Sequence, residues 1–236
     1  TVRTEIGRPA NLFYGYKTKG VFATSAEAQA AGLYVRDANG VDRTAFEAGD
    51  VHFVDLDGDH FVTEADRTVI GDPNPDIYGN IFTTVQYERF RLDVRFNYSL
   101  GNDIYNYMRH QLEAGSRFMN QTTALARRWQ VEGQQTDIPR LSFQDPMGNS
   151  RFSDRWIEDG SYLRLKTVTL SYDLPISSTF LQGLQFWVQA NNVFTLSRYL
   201  GADPEGAALS AVLGQGIDAG SVPQSRNFMV GIKISL

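Results

Sequence analysis

The feature that most constrains this chain is the strict alternation of apolar and polar residues from Phe90 to Tyr98. Successive side chains of a strand point to opposite faces, so this stretch would have one apolar face and one charged face. Phe90 and Tyr98 span about 26 Å along a strand, or about 20 Å if the strand tilts by about 40°. That height matches the lipid-facing band of an outer-membrane β-barrel, which carries aromatic residues at both edges. The alternation therefore predicts a transmembrane β-strand.

Four further segments alternate in the same way. They are predicted as strands, and their bounds are Ile77–Tyr87, Tyr162–Leu174, 184–191 and 228–236. In the second of them the apolar parity changes after Leu165. One extra residue near Lys166 and Thr167 would restore the register, as a β-bulge does.

The connections between these strands alternate between short and long. Short turns are expected at Glu88-Arg89 and Pro175, and long segments at about 8–76, 101–160 and 195–225, with short helices at 26–31 (capped by Ser25), 103–114 and 121–129. Short turns on one side and long loops on the other are typical of outer-membrane barrels. Five strands cannot close a barrel, and open edges in lipid would leave backbone groups unsatisfied. We therefore expect residues outside this sequence to complete the sheet.

Composition excludes several function classes. A net charge of −5 without any basic run argues against nucleic acid as a partner. The chain has no cysteine, so it has no disulfide and no thiolate nucleophile. Its three histidines are far apart in sequence, which argues against a His-rich catalytic metal site. Glu158 and Asp159 are adjacent without a second acidic pair, so we expect no glycosidase and no other enzyme.

Five segments carry a resemblance to a known family. They occupy residues 51–59, 66–76, 101–106, 150–166 and 191–195 and read VHFVDLDGD, DRTVIGDPNPD, GNDIYN, SRFSDRWIEDGSYLRLK and NNVFT. In this order they resemble the SusC/RagA family of TonB-dependent outer-membrane transporters. The resemblance covers nearly the whole chain.

The resemblance implies an all-β fold, with residues 1–236 as the carboxyl-terminal part of a transmembrane antiparallel barrel of about 22 strands. The amino-terminal plug of the family is absent from this sequence. The implied function is import of oligosaccharides or peptides, powered through TonB, with a SusD-like lipoprotein as an extracellular lid. The protein would lie in the outer membrane with extracellular loops and a periplasmic carboxyl terminus. The alternative is a non-transporting calcium-binding surface or adhesion domain built on a β-sandwich.

Residues 55–66 contain a candidate calcium site. Oxygen ligands fall at positions 1, 3, 5 and 12 of an EF-hand-like loop, with a backbone carbonyl at position 7; these ligands are Asp55, Asp57, Asp59, Asp66 and Phe61. His60 stands where glycine usually makes the sharp turn. The predicted role is structural, with Ca²⁺ as the cofactor. The alternative is a loop of Asx turns with exposed aspartates.

Two further groups are candidates for contacts. The first is predicted to face the barrel lumen and meet the plug, and it contains Arg91, Asp93, Arg95 and Trp187. The second sits in or beside the long loops and would contact a ligand or partner, or hold the loop together; it contains Tyr105, Asn106, Arg109, Trp129 and Trp156.

Overall fold

The computed structural model describes residues 2–36, 43–176, 180–206 and 214–235. It forms two compact units. The first comprises Thr1–Pro73, Ile104–Glu158 and Ala208–Gly220, and the second comprises Asn74–Asp103, Asp159–Ala207 and Ser221–Leu236. The described residues include no helix with both the length and the apolar character needed to cross a membrane.

Strands dominate the described chain, as predicted for an all-β fold. In chain order they are β1 (Val2–Arg3), β2 (Leu12–Tyr16), β3 (Thr18–Val21), β4 (Tyr34–Arg36), β5 (Arg43–Ala45), β6 (Val51–Phe53), β7 (Arg67–Gly71), β8 (Ile77–Tyr87), β9 (Phe90–Leu100), β10 (Asp103–Asn106), β11 (Ile157–Asp159), β12 (Tyr162–Leu174), β13 (Gly183–Ser197), β14 (Ile217–Asp218) and β15 (Asn227–Ser235). The α-helices are α1 (Ser25–Ala31) and α2 (Tyr107–Glu113), and single 3₁₀ turns cover Glu64–Asp66, Thr123–Arg127, Asp154–Trp156 and Pro204–Gly206.

The second unit is built on one antiparallel sheet with the strand order β15-β13-β12-β9-β8. These are the five predicted strands. Glu88 and Arg89 form the two-residue turn between β8 and β9, with Tyr87 opposite Phe90. Strand β13 runs past its predicted end at residue 191. Asn192 (φ 51°) and Val193 lie opposite the single residue Lys166, and pairing with β12 resumes at Phe194. The predicted strand end at Leu236 lies outside the described residues.

The predicted β-bulge lies at Lys166. Pairing of β12 with both neighbours shifts between Leu165 and Thr167. Leu165 is therefore opposite Phe96, and Val168 is opposite Val94, although the two positions differ in parity along β12. The bulge keeps one face of the sheet continuously apolar.

That apolar face is largely exposed. One cross-strand row near the short turns is aromatic and consists of Tyr87, Phe90, Tyr172 and Phe186. Fractional exposure reaches 79% at Val230, 74% at Phe228 and 72% at Tyr87. A β-sandwich would bury such a face, so its exposure argues against the alternative fold.

The first unit buries two apolar clusters. One surrounds Phe22, Val51 and Phe53 and draws mainly on the first long segment, with Met147 added from the second. The other joins Phe13 and Trp156 around β10. Strand β10 also pairs in parallel with β14, from the third long segment. Residues from all three predicted loops thus meet at the second cluster, to which the third loop contributes Ile217.

Local predictions in this unit hold only in part. Helix α1 begins at Ser25 and ends before Gly32, but its N-cap is Thr24, which forms a capping box with Glu27. Residues 103–106 form β10 rather than helix, because the Tyr105 amide donates to the Gly216 carbonyl. Residues 121–129 contain only a 3₁₀ turn, and residues 33–76, predicted as loop, contain β4–β7.

A buried polar network ties three segments of the first unit together. Asp50 is fully buried, and its two carboxylate oxygens accept hydrogen bonds from Nε and Nη2 of Arg140 at 2.9 Å. Asn149 donates to Asp50 at 2.8 Å and accepts from the Val51 amide at 2.8 Å. Since buried charges are tolerated only when paired, this network fixes how the segments meet.

We expect Asp50→Ala to destabilise the first unit by about 3–5 kcal/mol, because it leaves Arg140 without its buried partner. Glu47 is the control, because it pairs with the same arginine but its side chain is 68% exposed. Glu47→Ala should cost about 0–1 kcal/mol. Hydrogen exchange of the amides at residues 47–53 measures both variants, and equal loss of protection would contradict the expectation.

Candidate functional site

The aspartate loop brings three of its predicted ligands together. One ligand oxygen each from Asp55, Asp57 and Asp59 lies within 4.8 Å of the others. His60 adopts φ 65°, the left-handed conformation that glycine supplies at this position of an EF-hand loop. The Phe61 amide donates to Asp59 Oδ1 at 2.7 Å. Three acidic oxygens around one point suit a hard cation such as Ca²⁺.

The same carboxylates also organise the loop itself. Asp55 accepts from the amides of Gly58 and His60 at 2.7 and 2.9 Å. Asp57 accepts from the Asp59 amide two residues on, as an Asx turn does. The turns of the alternative interpretation are therefore present, and calcium binding stays a prediction.

Asp66 takes a different position from the other acidic residues of the loop. Its side chain is fully buried, and its carboxylate accepts from the amides of Leu56 and Thr63, both at 2.8 Å. The 3₁₀ turn at Glu64–Asp66 is capped in this way. Among the described residues, the group of converging acidic oxygens does not include Asp66.

Two of the predicted loop residues, Tyr105 and Trp156, contact the ring of His110. The His110 ring stacks on Trp156, with centroids 4.6 Å apart, and its Nδ1 accepts from the Tyr105 hydroxyl at 2.6 Å. Nε2 lies 2.7 Å from the Ser150 carbonyl, which requires a proton on Nε2. Asn106 is also buried and caps α2 by accepting from the Arg109 amide.

Arg109 and Trp129 also contact the chain itself. Arg109 forms ion pairs with Glu158 at 2.7 Å and with Glu113 at 3.1 Å, so the Glu158 carboxylate has a structural role as an ion-pair partner. Trp129 Nε1 donates to the Ala23 carbonyl at 3.1 Å, and its ring packs on Gly49. All five predicted loop residues thus hold the first unit together, and ligand contact by any of them stays a prediction.

The polar face of the large sheet carries the other predicted group. Arg91 forms a bidentate ion pair with Asp93. Oδ1 of Asp93 also accepts a hydrogen bond from the Thr84 hydroxyl at 2.6 Å. Arg95 lies over the Phe82 ring at 5.8 Å, and the described residues offer it no ion pair. These side chains line a shallow depression of about 370 Å³.

Trp187 lies on the same face, in the same cross-strand row as Arg91. Its indole covers Gly231, its partner on β15, where a Cβ atom would collide with the ring. Glycine at this position therefore allows the indole to lie flat along the sheet.

Sequence reasoning missed a second ion network on the polar face. Arg164 is only 4% exposed and pairs with Asp203 and with Glu205 (2.6 Å), while Lys166 contacts Glu205 at 3.0 Å. Burial alone would raise the pKa of Asp203. Hydrogen bonds from Arg164 and from the amides of Gln224 and Glu205 lower this pKa by more than burial raises it, so it lies below its usual value. The partners are about forty residues apart in sequence, and no local pattern links them.

Comparisons with known proteins agree with this architecture. The chain is 32% identical to TonB-dependent receptor P3 of Formosa agariphila over 97% of its own length and 22% of that protein. It is 25% identical to TonB-dependent receptor SusC of Bacteroides thetaiotaomicron over 77% of its length and 17% of SusC. The solved structure of the RagAB peptide transporter matches with a TM-score of 0.71 and 25% identity, over 98% of this chain and 23% of that one. No protein-family model matches. The chain thus spans less than a quarter of each of these relatives.

The buried imidazole makes the first unit sensitive to pH. Burial lowers the pKa of His110 below its ordinary value of 6.5. The unfolded chain therefore binds the proton first as pH falls, and stability should decrease below about pH 6.5 until the folded pKa is reached.

We expect His110→Gln to reduce this acid destabilisation, measured as the pH dependence of the unfolding midpoint between pH 7 and 5. His52→Gln is a parallel test, because burial also lowers the pKa of His52, which stacks on Phe22. Each variant should remove part of the slope. An unchanged slope in His110→Gln would contradict the assignment.

Proposed function

This chain belongs to the SusC/RagA family of TonB-dependent receptors, and on that premise we propose that it is a wall segment of a longer outer-membrane importer. The proposed cargo is oligosaccharide or peptide. The similarity to the RagAB peptide transporter supports peptide, and oligosaccharide is the alternative that the family resemblance implies. The observation that carries the proposal is the exposed apolar face of the five-stranded sheet.

The apolar face is proposed to contact lipid. It continues across all five strands. An aromatic row crosses it near the Glu88-Arg89 turn, and toward the other end of the strands the same face carries Phe96, Tyr98 and Phe194. Phe90 and Tyr98 are eight residues apart, about 26 Å along the strand. Aromatic girdles at both edges of an apolar band are the signature of an outer-membrane barrel wall.

The opposite face is proposed to line the lumen and contact a plug. An arginine without an ion pair is costly in a confined site, so Arg95 would pair with a carboxylate of the plug. The Arg91–Asp93 pair and Trp187 would border the same contact. This is the role that the sequence predicts for these four residues.

The long connections are proposed to be extracellular. The segments before β8, between β9 and β12, and after β13 all leave the sheet at the end opposite the Glu88-Arg89 turn. In the proposed mechanism a SusD-like lipoprotein captures cargo above these segments, and TonB then pulls on the plug to open a path. The carboxyl end of β15 would lie on the periplasmic side.

The aspartate loop is proposed to bind Ca²⁺ as a structural ion. The convergence of Asp55, Asp57 and Asp59 and the left-handed His60 support this proposal. An affinity near the millimolar range would suit an extracellular site.

A buried charge on the proposed lipid face should disrupt assembly. In the longer receptor carrying this segment, Val94→Lys should cost about 2–4 kcal/mol in lipid vesicles, because Val94 lies midway between the aromatic rows. Thr84→Lys is the control, because it is on the opposite face beside Asp93. The urea midpoint of the vesicle-inserted protein measures both. Equal effects of the two lysines would refute a lipid-facing sheet.

Calcium binding is tested by isothermal titration of the chain with Ca²⁺ alone. We expect a dissociation constant of about 10⁻⁴–10⁻³ M and at least a tenfold loss in Asp57→Asn, because each ligand charge contributes to affinity. Glu64→Gln is the matched control, because Glu64 is an exposed acid of the same loop at a position without a ligand role. No saturable heat in the millimolar range would exclude the site.

A further inference from the structure

A cavity in the first unit is not accounted for by the proposed function. It is open to solvent and has a volume of about 560 Å³ between residues 116–118 and 143–151. An adjoining cavity of about 270 Å³ shares Ser116, Arg117 and Ser150 with it. The Gln144 amide donates to the Ser116 carbonyl at 2.9 Å and holds the two walls together. The space is large enough for a small organic ligand.

One wall carries a buried arginine without an ion pair. Among the described residues no partner reaches Nη1 of Arg151, although this atom is shielded from solvent. Its guanidinium packs against Gly148, where a Cβ atom would lie 2.6 Å from Nε, and lies 5.6 Å from the Tyr16 ring and 5.5 Å from the Phe53 ring. Burial lowers the pKa of Arg151, yet arginine stays charged at neutral pH. A partly desolvated guanidinium therefore lies in one wall of the cavity, with its Nη1 atom shielded from the water-accessible space.

The acid in this cavity, Asp145, attracts Arg151 but forms no ion pair with it. Asp145 Oδ1 accepts from the Asn149 amide, and Oδ2 accepts from the amide and hydroxyl of Ser150, all within 2.7 Å. Arg117 adds a second cation at the rim, and the described residues give it no ion pair. Two guanidiniums thus face a space whose one carboxylate already accepts three hydrogen bonds.

The rim of the cavity is aromatic. The rings of Phe118 and Phe143 lie 4.9 Å apart, and the side chains are 93% and 59% exposed. Phenylalanine offers no hydrogen bond, so these rings favour an apolar group over a hydroxyl-rich sugar. Guanidiniums, in contrast, favour a carboxylate through charge-assisted hydrogen bonds.

We propose that this cavity is a binding site for a carboxylate carried next to an apolar or aromatic group, as at the end of a peptide with an aromatic last residue. Arg117 and Arg151 would bind the carboxylate, and Phe118 and Phe143 would cover the apolar group. The site involves only residues of the first unit, so it stands or falls independently of import.

The test is isothermal titration of the full chain in detergent with N-acetylphenylalanine. We expect saturable binding and at least about tenfold weaker binding of N-acetylphenylalaninamide, which has the same ring without the charge. Arg117→Gln and Phe118→Ser should each weaken binding by at least about tenfold, since both side chains are exposed and their loss leaves the core intact. Arg127→Gln is the control, because Arg127 is an exposed arginine of the same unit outside the cavity.

Several outcomes would overturn the proposal. Absence of saturable binding, equal affinity for acid and amide, or full affinity in Arg117→Gln would exclude a carboxylate site. Equal affinity for galacturonate would exclude the apolar requirement and indicate an acidic sugar instead. An Arg151→Gln variant that fails to fold would leave the Arg117 and Phe118 comparisons decisive.

Discussion

The backbone of the sheet in the second unit must meet two constraints at once, one on its hydrogen bonds and one on the face to which its side chains point. Every amide between its strands needs a partner on the neighbouring strand, and every second side chain must reach the same face. The register meets both demands from Tyr87 to Tyr98, but the parity of β12 changes within the strand. Lys166 resolves the conflict, because as the unpaired residue of a bulge it returns Leu163 and Leu165 to the face that already holds Val168 and Tyr172. Without that residue, part of the apolar surface would turn into the polar face.

The bulge also affects the polar face. It is adjacent to Arg164, the most buried cation of the sheet, and Lys166 shares Glu205 with it. Asp203 and Glu205 follow β13 and meet Arg164 and Lys166, so the irregular part of β12 receives side-chain partners from a connecting segment. Such an ion network adds little net stability by itself, because desolvation offsets the attraction, but it fixes one arrangement of the segment.

The sequence predicted what is local and periodic. The five long strands, the Glu88-Arg89 turn, the bulge and the end of α1 at Gly32 all follow from spacings of a few residues. The first unit was predicted as loops, because its strands have two to five residues and no sustained period. Its defining contacts are distant in sequence: Asp50 meets Arg140 and Asn149 across 90 and 99 residues. Tertiary pairing also overrode helix propensity at residues 103–106. For the candidate site, the aspartate spacing was readable, whereas the burial of Asp66 depended on the fold around it.

The arginines separate structural roles from binding roles. Arg109, Arg140 and Arg164 each have two carboxylate partners, so their charges are neutralised by ion pairs within the chain. Arg95, Arg117 and Arg151 have no ion pair among the described residues, although Arg151 is largely desolvated. A desolvated cation costs free energy unless something compensates it, and the described residues give Arg151 aromatic faces, a glycine and the attraction of Asp145 and Asp66, but no ion pair. Arg109, Arg140 and Arg164 show that this chain supplies carboxylate partners to its guanidinium groups. The missing partner at Arg151 is therefore best explained by a ligand that supplies a carboxylate.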